Sequence, residues 1–257
     1  MNNVNKTLYI PLYGKSYVSQ RGILLTDPMA EELWDEAGFP LKGKSASKWL
    51  AYYMAVRSVV FDRWTAEKMQ QHPDAVVLHL GCGLDSRVLR TGQRENLWFD
   101  VDFPEVMAER EAYYQETEHY RMVGSDLRES GWLENIPGGK AIVVMEGISM
   151  YLTPEELKAL HSRLKHRFSE IFLLMDCYST LAAKASKWKN PINDVGVFEV
   201  HGMDEPQAPG VLNFLEERDM TPADLIAELP KKDQPLFRKF YAGNFARKLY
   251  RLYEYEG

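Results

Sequence analysis

The chain has 257 residues, of which 45% are hydrophobic and 26% are charged, and its formal net charge is −6. This composition is typical of a globular protein, and the negative charge makes a nucleic-acid partner unfavourable. No apolar run is long enough to span a membrane, and residues 1–6 lack the apolar core of a signal peptide. Cys82 and Cys177 are too few for a zinc site or a disulfide framework. We therefore expect a cytoplasmic protein with no metal and no membrane partner.

Helix signals come first along the chain. Thr26-Asp27-Pro28 has the pattern of a helix start, and Gly38 is placed to end that helix. A long helix is expected over residues 47–71, and Thr153-Pro154-Glu155-Glu156 has the pattern of a capping box before a later helix. The sequence therefore predicts a helical N-terminal region of about 70 residues.

Seven short segments have the composition of β-strands. They are residues 76–80, 97–102, 119–124, 141–146, 171–176, 211–215 and 248–256. Several are apolar throughout and alternate with helical stretches, which predicts a mostly parallel sheet with helices on both faces. The proline-containing stretch near residues 182–213 predicts a lid over this sheet. We therefore expect a single α/β domain, with residues 1–70 as a helical cap and residues 71–257 as the core.

A glycine turn is the strongest local signal for a ligand site. Residues 76–80 run directly into Gly81-Cys82-Gly83, and glycines permit both a sharp turn and close approach of a ligand to the backbone. About twenty residues later a second strand ends with Asp100 and Asp102, the spacing at which an acidic residue meets ribose hydroxyls. Either aspartate could accept both hydroxyl hydrogens, so the pattern indicates a nucleoside site without choosing between them.

The glycine pattern also bears on which cofactor binds. A dinucleotide fingerprint has a third glycine, and Ser86 occupies that position here. A pyrophosphate is therefore less favoured than an adenosine without phosphates. This favours S-adenosylmethionine over NAD, although a nicotinamide-dependent dehydrogenase stays open as an alternative.

Ordered motifs resemble one known family. Gly81-Cys82-Gly83-Leu84-Asp85-Ser86-Arg87 resembles the Gly-x-Gly-Leu-Asp-Thr-Arg signature of the leucine carboxyl methyltransferase family, which includes bacterial O-methyltransferases of polyketide biosynthesis. Residues 101–106, 125–128 and 146–152 match further motifs in the same order. Ser86 replaces the usual threonine, and Lys15 stands where arginine is common. The resemblance implies a Rossmann-like class I methyltransferase fold with seven strands, of which the last is antiparallel, and a small helical cap.

The same resemblance implies S-adenosylmethionine as cofactor and assigns its binding to seven positions. These are Arg57, Gly81, Gly83, Asp102, Asp126, Leu127 and Glu146. Arg57 would pair with the methionine carboxylate, since a buried carboxylate favours a bidentate partner, and Glu146 would face the ammonium group. Asp102 would hold the ribose, while Asp126 and its neighbour Leu127 would flank the adenine. The two glycines would pass beneath the cofactor.

The implied activity is O-methylation of a carboxylate or a phenol on a small metabolite such as a polyketide. A carboxylate acceptor needs no general base, whereas a phenol would benefit from one, and His201 is the one candidate base in the lid. Two further alternatives are methylation of a protein C-terminal carboxylate and cofactor binding without turnover.

The lid and one helix carry two further expectations. Residues 187–213 contain Trp188, Phe198 and Met203 among prolines and glycines, so we expect them to determine acceptor specificity. His161 and His166 fall on a charged helix and are five residues apart, so they are not on one face. We expect both of these histidines to be solvated.

Overall fold

Seven strands form one sheet in the computed structural model, which describes residues 5–92 and 95–257. They are β1 (Val76–Leu80), β2 (Trp98–Asp102), β3 (Tyr120–Gly124), β4 (Lys140–Met145), β5 (Glu170–Tyr178), β6 (Asn213–Arg218) and β7 (Tyr250–Glu256). The strand order is β3-β2-β1-β4-β5-β7-β6, and β7 pairs antiparallel with both β5 and β6. The predicted mostly parallel sheet, with an antiparallel last strand, is confirmed.

Helices cover both faces of this sheet. In the described residues they are α1 (Tyr9–Ser19), α2 (Pro28–Ala37), α3 (Lys48–Gln71), α4 (Arg87–Arg90), α5 (Pro104–Arg110), α6 (Pro154–Arg167), α7 (Thr180–Lys189), α8 (Ala223–Glu228), α9 (Gln234–Tyr241) and α10 (Asn244–Leu249). The predicted start signals act as caps. Asp27 accepts the Ala30 N–H at 3.0 Å, Ser47 caps α3, and Thr153 forms a reciprocal capping box with Glu156.

The core has two layers because alternate strand residues point to opposite faces. In β4, Ile142 and Val144 pack with residues of α1, α2 and α3, whereas Val143 and Met145 pack on the face covered by α6. All four side chains are fully buried. The N-terminal helices are therefore part of the main core, and this packing holds α1 and α3 beside the sheet.

The stretch predicted to form a lid is helical in its first part. Helix α7 begins at Thr180, where the preceding Ser179 side chain accepts the Ala182 N–H at 3.2 Å. Three alanines within α7 favour the helix, and a 3-10 turn follows over Pro191–Val195. The irregular part is therefore confined to the residues after that turn and before β6.

One histidine lies where the sequence did not predict it. His161 is fully buried, so the expectation that it is solvated is wrong, while His166 is exposed as expected. His161 shares the buried face of α6 with Leu157 and Leu164, at the spacing of one helix face. Neither of its ring nitrogens has a hydrogen-bond partner, and the ring lies edge-on to Tyr255. The apolar surroundings therefore favour neutral imidazole.

This burial predicts a pH-dependent contribution to stability. Desolvation lowers the pKa of His161 to about 4 from the ordinary 6.5. Between these values the unfolded chain binds a proton that the folded chain does not, so the free energy of unfolding falls as the pH decreases. We expect the free energy of unfolding to fall between about pH 7 and pH 4.5 by about 2–3 kcal/mol less in His161→Leu than in the wild type. Urea unfolding at the two pH values measures this difference. The exposed matched variant, His166→Leu, should retain the wild-type pH dependence, and the same result for His161→Leu would contradict the buried neutral state.

Candidate functional site

A cavity of about 890 Å³ lies at the carboxyl ends of β1, β2 and β4. Parallel α/β sheets bind ligands at this edge. All seven residues predicted for cofactor binding line it, namely Arg57, Gly81, Gly83, Asp102, Asp126, Leu127 and Glu146. The structure therefore brings together residues that the sequence separates by almost ninety positions.

The glycine turn after β1 shapes the floor of this cavity. Gly81 and Gly83 have φ angles of +65° and +53°, which favour glycine. A Cβ atom on Gly81 would collide with Cγ2 of Ile148, in the loop after β4. The backbone N–H of Gly83 donates to Asp102 at 2.7 Å. Gly81 is therefore required by the close approach of a neighbouring loop as well as by its own conformation.

The two aspartates of β2 have different surroundings. Asp100 is fully buried and accepts hydrogen bonds from Trp98 Nε1 at 2.8 Å and Tyr120 Oη at 2.7 Å. Asp102 lines the cavity, and its carboxylate accepts two backbone N–H groups at 2.7 Å, one of them from Gly83. Burial raises the pKa of Asp102 to about 6. Of the two candidates left open by the sequence, only Asp102 faces the cavity.

Arg57 and Glu146 form a buried ion pair in the cavity wall. Arg57 Nε donates to Glu146 Oε1 at 2.9 Å, and the second oxygen of Glu146 accepts from Arg87. Burial opposes ionisation of Glu146, but the two guanidinium groups lower its pKa to about 2. The site therefore holds opposite charges side by side, as a zwitterionic ligand would require.

Two partners of Arg57 were missed by the sequence analysis. Arg57 Nη1 lies 3.1 Å from Asp176 Oδ2 and donates to Tyr250 Oη at 2.6 Å, and that hydroxyl donates to Asp176 at 2.5 Å. Asp176 is the last residue of the predicted strand 171–176, just as Glu146 is the last of 141–146, so the same signal could have identified it, although β5 continues to Tyr178 in the structure. Tyr250 carries no such signal, because it reaches the site through the antiparallel pairing of β7 with β5, opposite Tyr178.

Further ion pairs connect the N-terminal helices to the glycine turn. Lys15 of α1 lies 3.0 Å from Asp85, which follows the turn. Arg90 contacts Asp27 at the start of α2 and Asp62 of α3, each at 2.7 Å. Because these charged groups are mostly buried, they have little contact with water, and each is stabilised by its ion-pair partners instead. Ion pairs therefore connect the N-terminal helices to the edge of the sheet where the cavity lies.

Asp126 and Leu127 also line the cavity. The Asp126 carboxylate accepts from Arg128 Nε at 2.9 Å, and this hydrogen bond lowers the pKa of Asp126. The Leu127 carbonyl accepts from Arg163 Nη2 at 2.6 Å. Both residues are therefore held by arginines, namely Arg128, which also lines the cavity, and Arg163, which does not.

Another part of the cavity is mainly apolar and aromatic. Its walls include Ile10, Trp49, Leu50, Tyr53, Met54, Tyr151, Tyr178, Ile192, Phe240, Tyr241, Leu249 and Tyr250. Of the segment 187–213 that was expected to determine specificity, only residues 190–192 line the cavity. Helices α1 and α3 near the N-terminus, together with α9 and α10 near the C-terminus, contribute more of the lining residues. Most of this segment therefore lies outside the cavity lining, and its role in acceptor specificity stays a prediction.

His201, the candidate general base, does not line the cavity. Its side chain is exposed, and its backbone N–H donates to the Met150 carbonyl at 2.8 Å. Trp188 and Phe198 are also exposed. The position of His201 argues against a role in proton transfer within the cavity.

Both cysteines are free and buried, and burial raises the pKa of the Cys82 thiol well above its ordinary value.

Across residues 5–92 and 95–257, no three or more His, Cys, Asp or Glu side chains are grouped so as to hold a metal ion. Within the same ranges, no helix combines the length and apolar character needed to cross a membrane.

Sequence comparisons identify relatives over most of the chain. A sequence model of the family described as leucine carboxyl methyltransferase matches residues 11–165. The tetracenomycin polyketide synthesis O-methyltransferase TcmP of Streptomyces glaucescens is 29% identical over 237 residues, which cover 89% of this chain and 87% of that protein. The S-adenosyl-L-methionine-dependent methyltransferase dpfgK of Gibberella zeae is 31% identical over 137 residues, which cover 49% of this chain and 46% of that protein.

Solved structures share the fold at low sequence identity. A DUF574 family protein from Streptomyces avermitilis has a TM-score of 0.55 at 12% identity, with 90% of each chain covered. Magnesium protoporphyrin IX methyltransferase from Synechocystis, with bound S-adenosylhomocysteine, has a TM-score of 0.51 at 14% identity, covering 88% of this chain and 93% of that one. These similarities confirm the predicted Rossmann-like fold of class I methyltransferases.

The shared carboxylate of Glu146 predicts a large effect on stability. Glu146→Ala would leave Arg57 and Arg87 buried without their common counterion, so we expect the free energy of unfolding to fall by about 3–5 kcal/mol. Glu146→Gln retains an acceptor oxygen and should cost less. Urea unfolding measures both, with exposed Glu129→Ala as the control, expected to change by under about 0.5 kcal/mol. Wild-type stability of Glu146→Ala would show that the arginines do not depend on this carboxylate.

Proposed function

This chain belongs to the leucine carboxyl methyltransferase family and is a S-adenosylmethionine-dependent methyltransferase, and we propose that it methylates a carboxylate oxygen of a small, largely apolar acid. The observation that carries the proposal is the division of the cavity. Charged residues near the ends of β1, β2 and β4 line one part of it, and apolar and aromatic residues that pack against one another line the other part. The first part suits a zwitterionic cofactor, and the second suits an apolar acceptor.

The charged part of the cavity fits each portion of S-adenosylmethionine. We assign the methionine carboxylate to Arg57 and its ammonium group to Glu146, since these buried side chains supply the complementary charges. Asp102 offers a carboxylate for the ribose hydroxyls, and Asp126 with Leu127 borders the place of the adenine. The bound cofactor supplies an activated methyl group on sulfonium together with a good leaving group.

The protein's contribution to this reaction is to position the reactants and exclude water. Arg57 is held from three sides by Glu146, Asp176 and Tyr250, so the methionine end of the site is rigidly oriented. Tyr250 and Tyr178 continue the wall toward the apolar part. An acceptor packed against that wall would be desolvated and held in one orientation, which lowers the entropic part of the barrier for an in-line transfer.

A carboxylate acceptor fits the absence of a well-placed base among the described lining residues. Of their ionised side chains, only Lys44 lies outside the cofactor positions and the ion-pair networks described above. His79 is buried, its pKa is lowered by desolvation, and its ring contacts Asp100 and Arg87. A carboxylate is already ionised at neutral pH and needs no base, and Lys44 supplies a cation to attract it. The similarity to TcmP supports an oxygen acceptor on a polyketide-like molecule.

Binding of S-adenosylhomocysteine tests the cofactor assignment without turnover. We expect Arg57→Lys and Glu146→Gln each to weaken binding about ten- to a hundredfold, because lysine cannot pair with a carboxylate in the bidentate geometry and glutamine carries no charge opposite the ammonium group. Isothermal titration calorimetry provides the measurement, with Glu129→Gln as a matched exposed control that should bind as wild type. NAD should not bind. Unchanged dissociation constants in folded variants would remove Arg57 and Glu146 from the site.

The pH dependence of turnover distinguishes a carboxylate from a phenol as acceptor. With radiolabelled cofactor and a panel of small acids and phenols, we expect methyl ester formation at a rate nearly independent of pH between about pH 7 and 9. A phenol without a base would instead react about tenfold faster per pH unit. His201→Gln should leave turnover unchanged, since His201 is outside the cavity. Methylation confined to phenols or to peptide C-termini would overturn the proposal.

A further inference from the structure

Large exposed apolar side chains lie on three helices, α7, α9 and α10, that also contribute residues to the cavity lining. Trp188 of α7 is 84% exposed, Phe245 of α10 is 70% exposed and Phe240 of α9 is 61% exposed, and Leu181 and Leu236 are about half exposed. Single exposed apolar residues are ordinary on protein surfaces, but a group of large ones beside a cavity marks an interaction site.

The topology places these helices together. Helix α7 follows β5 and α10 precedes β7, and these strands are paired with Tyr178 opposite Tyr250. Ala185 of α7, Phe240 of α9 and Ala246 of α10 all line the same cavity. We call residues 180–189 and 231–248 the mouth surface.

The mouth surface is basic on a chain whose net charge is negative. Residues 231–248 contain six lysines and arginines, of which Arg247 is paired with Asp219, and one acidic residue, Asp233, which is paired with Lys48. Residues 180–189 contain three lysines and no acidic residue. Lys184, Lys187 and Lys239 are exposed. This charge is the opposite of that of the whole chain, so the surface favours an anionic partner.

Cationic and apolar side chains alternate on the exposed faces of these helices. In α7, Leu181, Lys184 and Trp188 are exposed at the spacing of one helix face. In α9, Leu236 and Phe240 are four residues apart, and Lys239 Nζ lies 5.4 Å from the Phe240 ring. Lysine beside tryptophan, phenylalanine and leucine is the pattern of helices that lie in the headgroup region of a membrane.

We propose that the mouth surface binds an anionic lipid bilayer, so that an amphiphilic acid can pass from the bilayer into the cavity. Binding at the surface requires no membrane-spanning helix. A second copy of the chain is disfavoured, because an isologous contact would place like charges opposite one another. A folded acidic protein is also less favoured, since lysine is depleted at protein–protein interfaces. The surface interaction does not depend on the proposed methyl acceptor.

Vesicle sedimentation tests this proposal independently of activity. Full-length protein would be mixed with vesicles of phosphatidylcholine alone or with about one-third phosphatidylglycerol. We expect binding to the anionic vesicles only, weakened by salt because of screening. Lys187→Glu/Lys239→Glu and Trp188→Ser/Phe245→Ser should each reduce the partition coefficient at least about tenfold. These variants separate the electrostatic contribution from the apolar one.

Matched controls use residues that are exposed elsewhere. Lys158→Glu/Lys165→Glu makes the same change of charge on α6, and Leu89→Ser/Leu215→Ser removes exposed apolar side chains outside the mouth surface. Both controls should bind as wild type. Absence of binding to anionic vesicles, or equal loss in the controls, would overturn the proposal. So would self-association of the wild type that Trp188→Ser/Phe245→Ser abolishes, or equally tight binding to poly-glutamate.

Discussion

The carboxylate of Glu146, shared between Arg57 and Arg87, is the interaction on which the rest of the site depends. It joins three parts of the chain, namely the middle of α3, the helix that follows the glycine turn and the end of β4. Three charged groups that are buried away from water are stable only when they form ion pairs and hydrogen bonds with one another. The cavity therefore owes its shape to an arrangement of charges as well as to apolar packing.

This arrangement explains why the N-terminal helices and the sheet form one unit. Packing of α1 and α3 on the sheet buries apolar surface, which stabilises many relative orientations about equally. The ion pairs from Lys15, Asp27 and Asp62 to the residues after the glycine turn have directional requirements. They select one orientation, and with it the position of the wall that faces the ligand.

The parts of the site that were predictable from the sequence carry a local signal. Glu146 ends an apolar strand, and Gly81 needs a backbone conformation that other residues rarely adopt, so both are visible in short windows. Tyr250 was not predictable, because its place depends on pairing between strands far apart in sequence. His161 was misjudged because its sequence neighbours are charged, whereas its burial depends on the face of α6 that meets the sheet. The full set of apolar lining residues was not predictable for a similar reason, since they come from helices that are far apart in sequence and meet only in the folded chain.

The position of β7 inside the sheet has a consequence for how the molecule assembles. Since β7 lies between β5 and β6 and is synthesised after both, β5 presents an unpaired edge until residues 250–256 are available. Pairing across this sequence distance is slow, and an exposed apolar edge favours association between chains. The same event delivers Tyr250 to Arg57. Completion of the sheet and completion of the binding site are therefore one step, so a chain that has not closed its sheet is also unable to hold its ligand in the proper orientation.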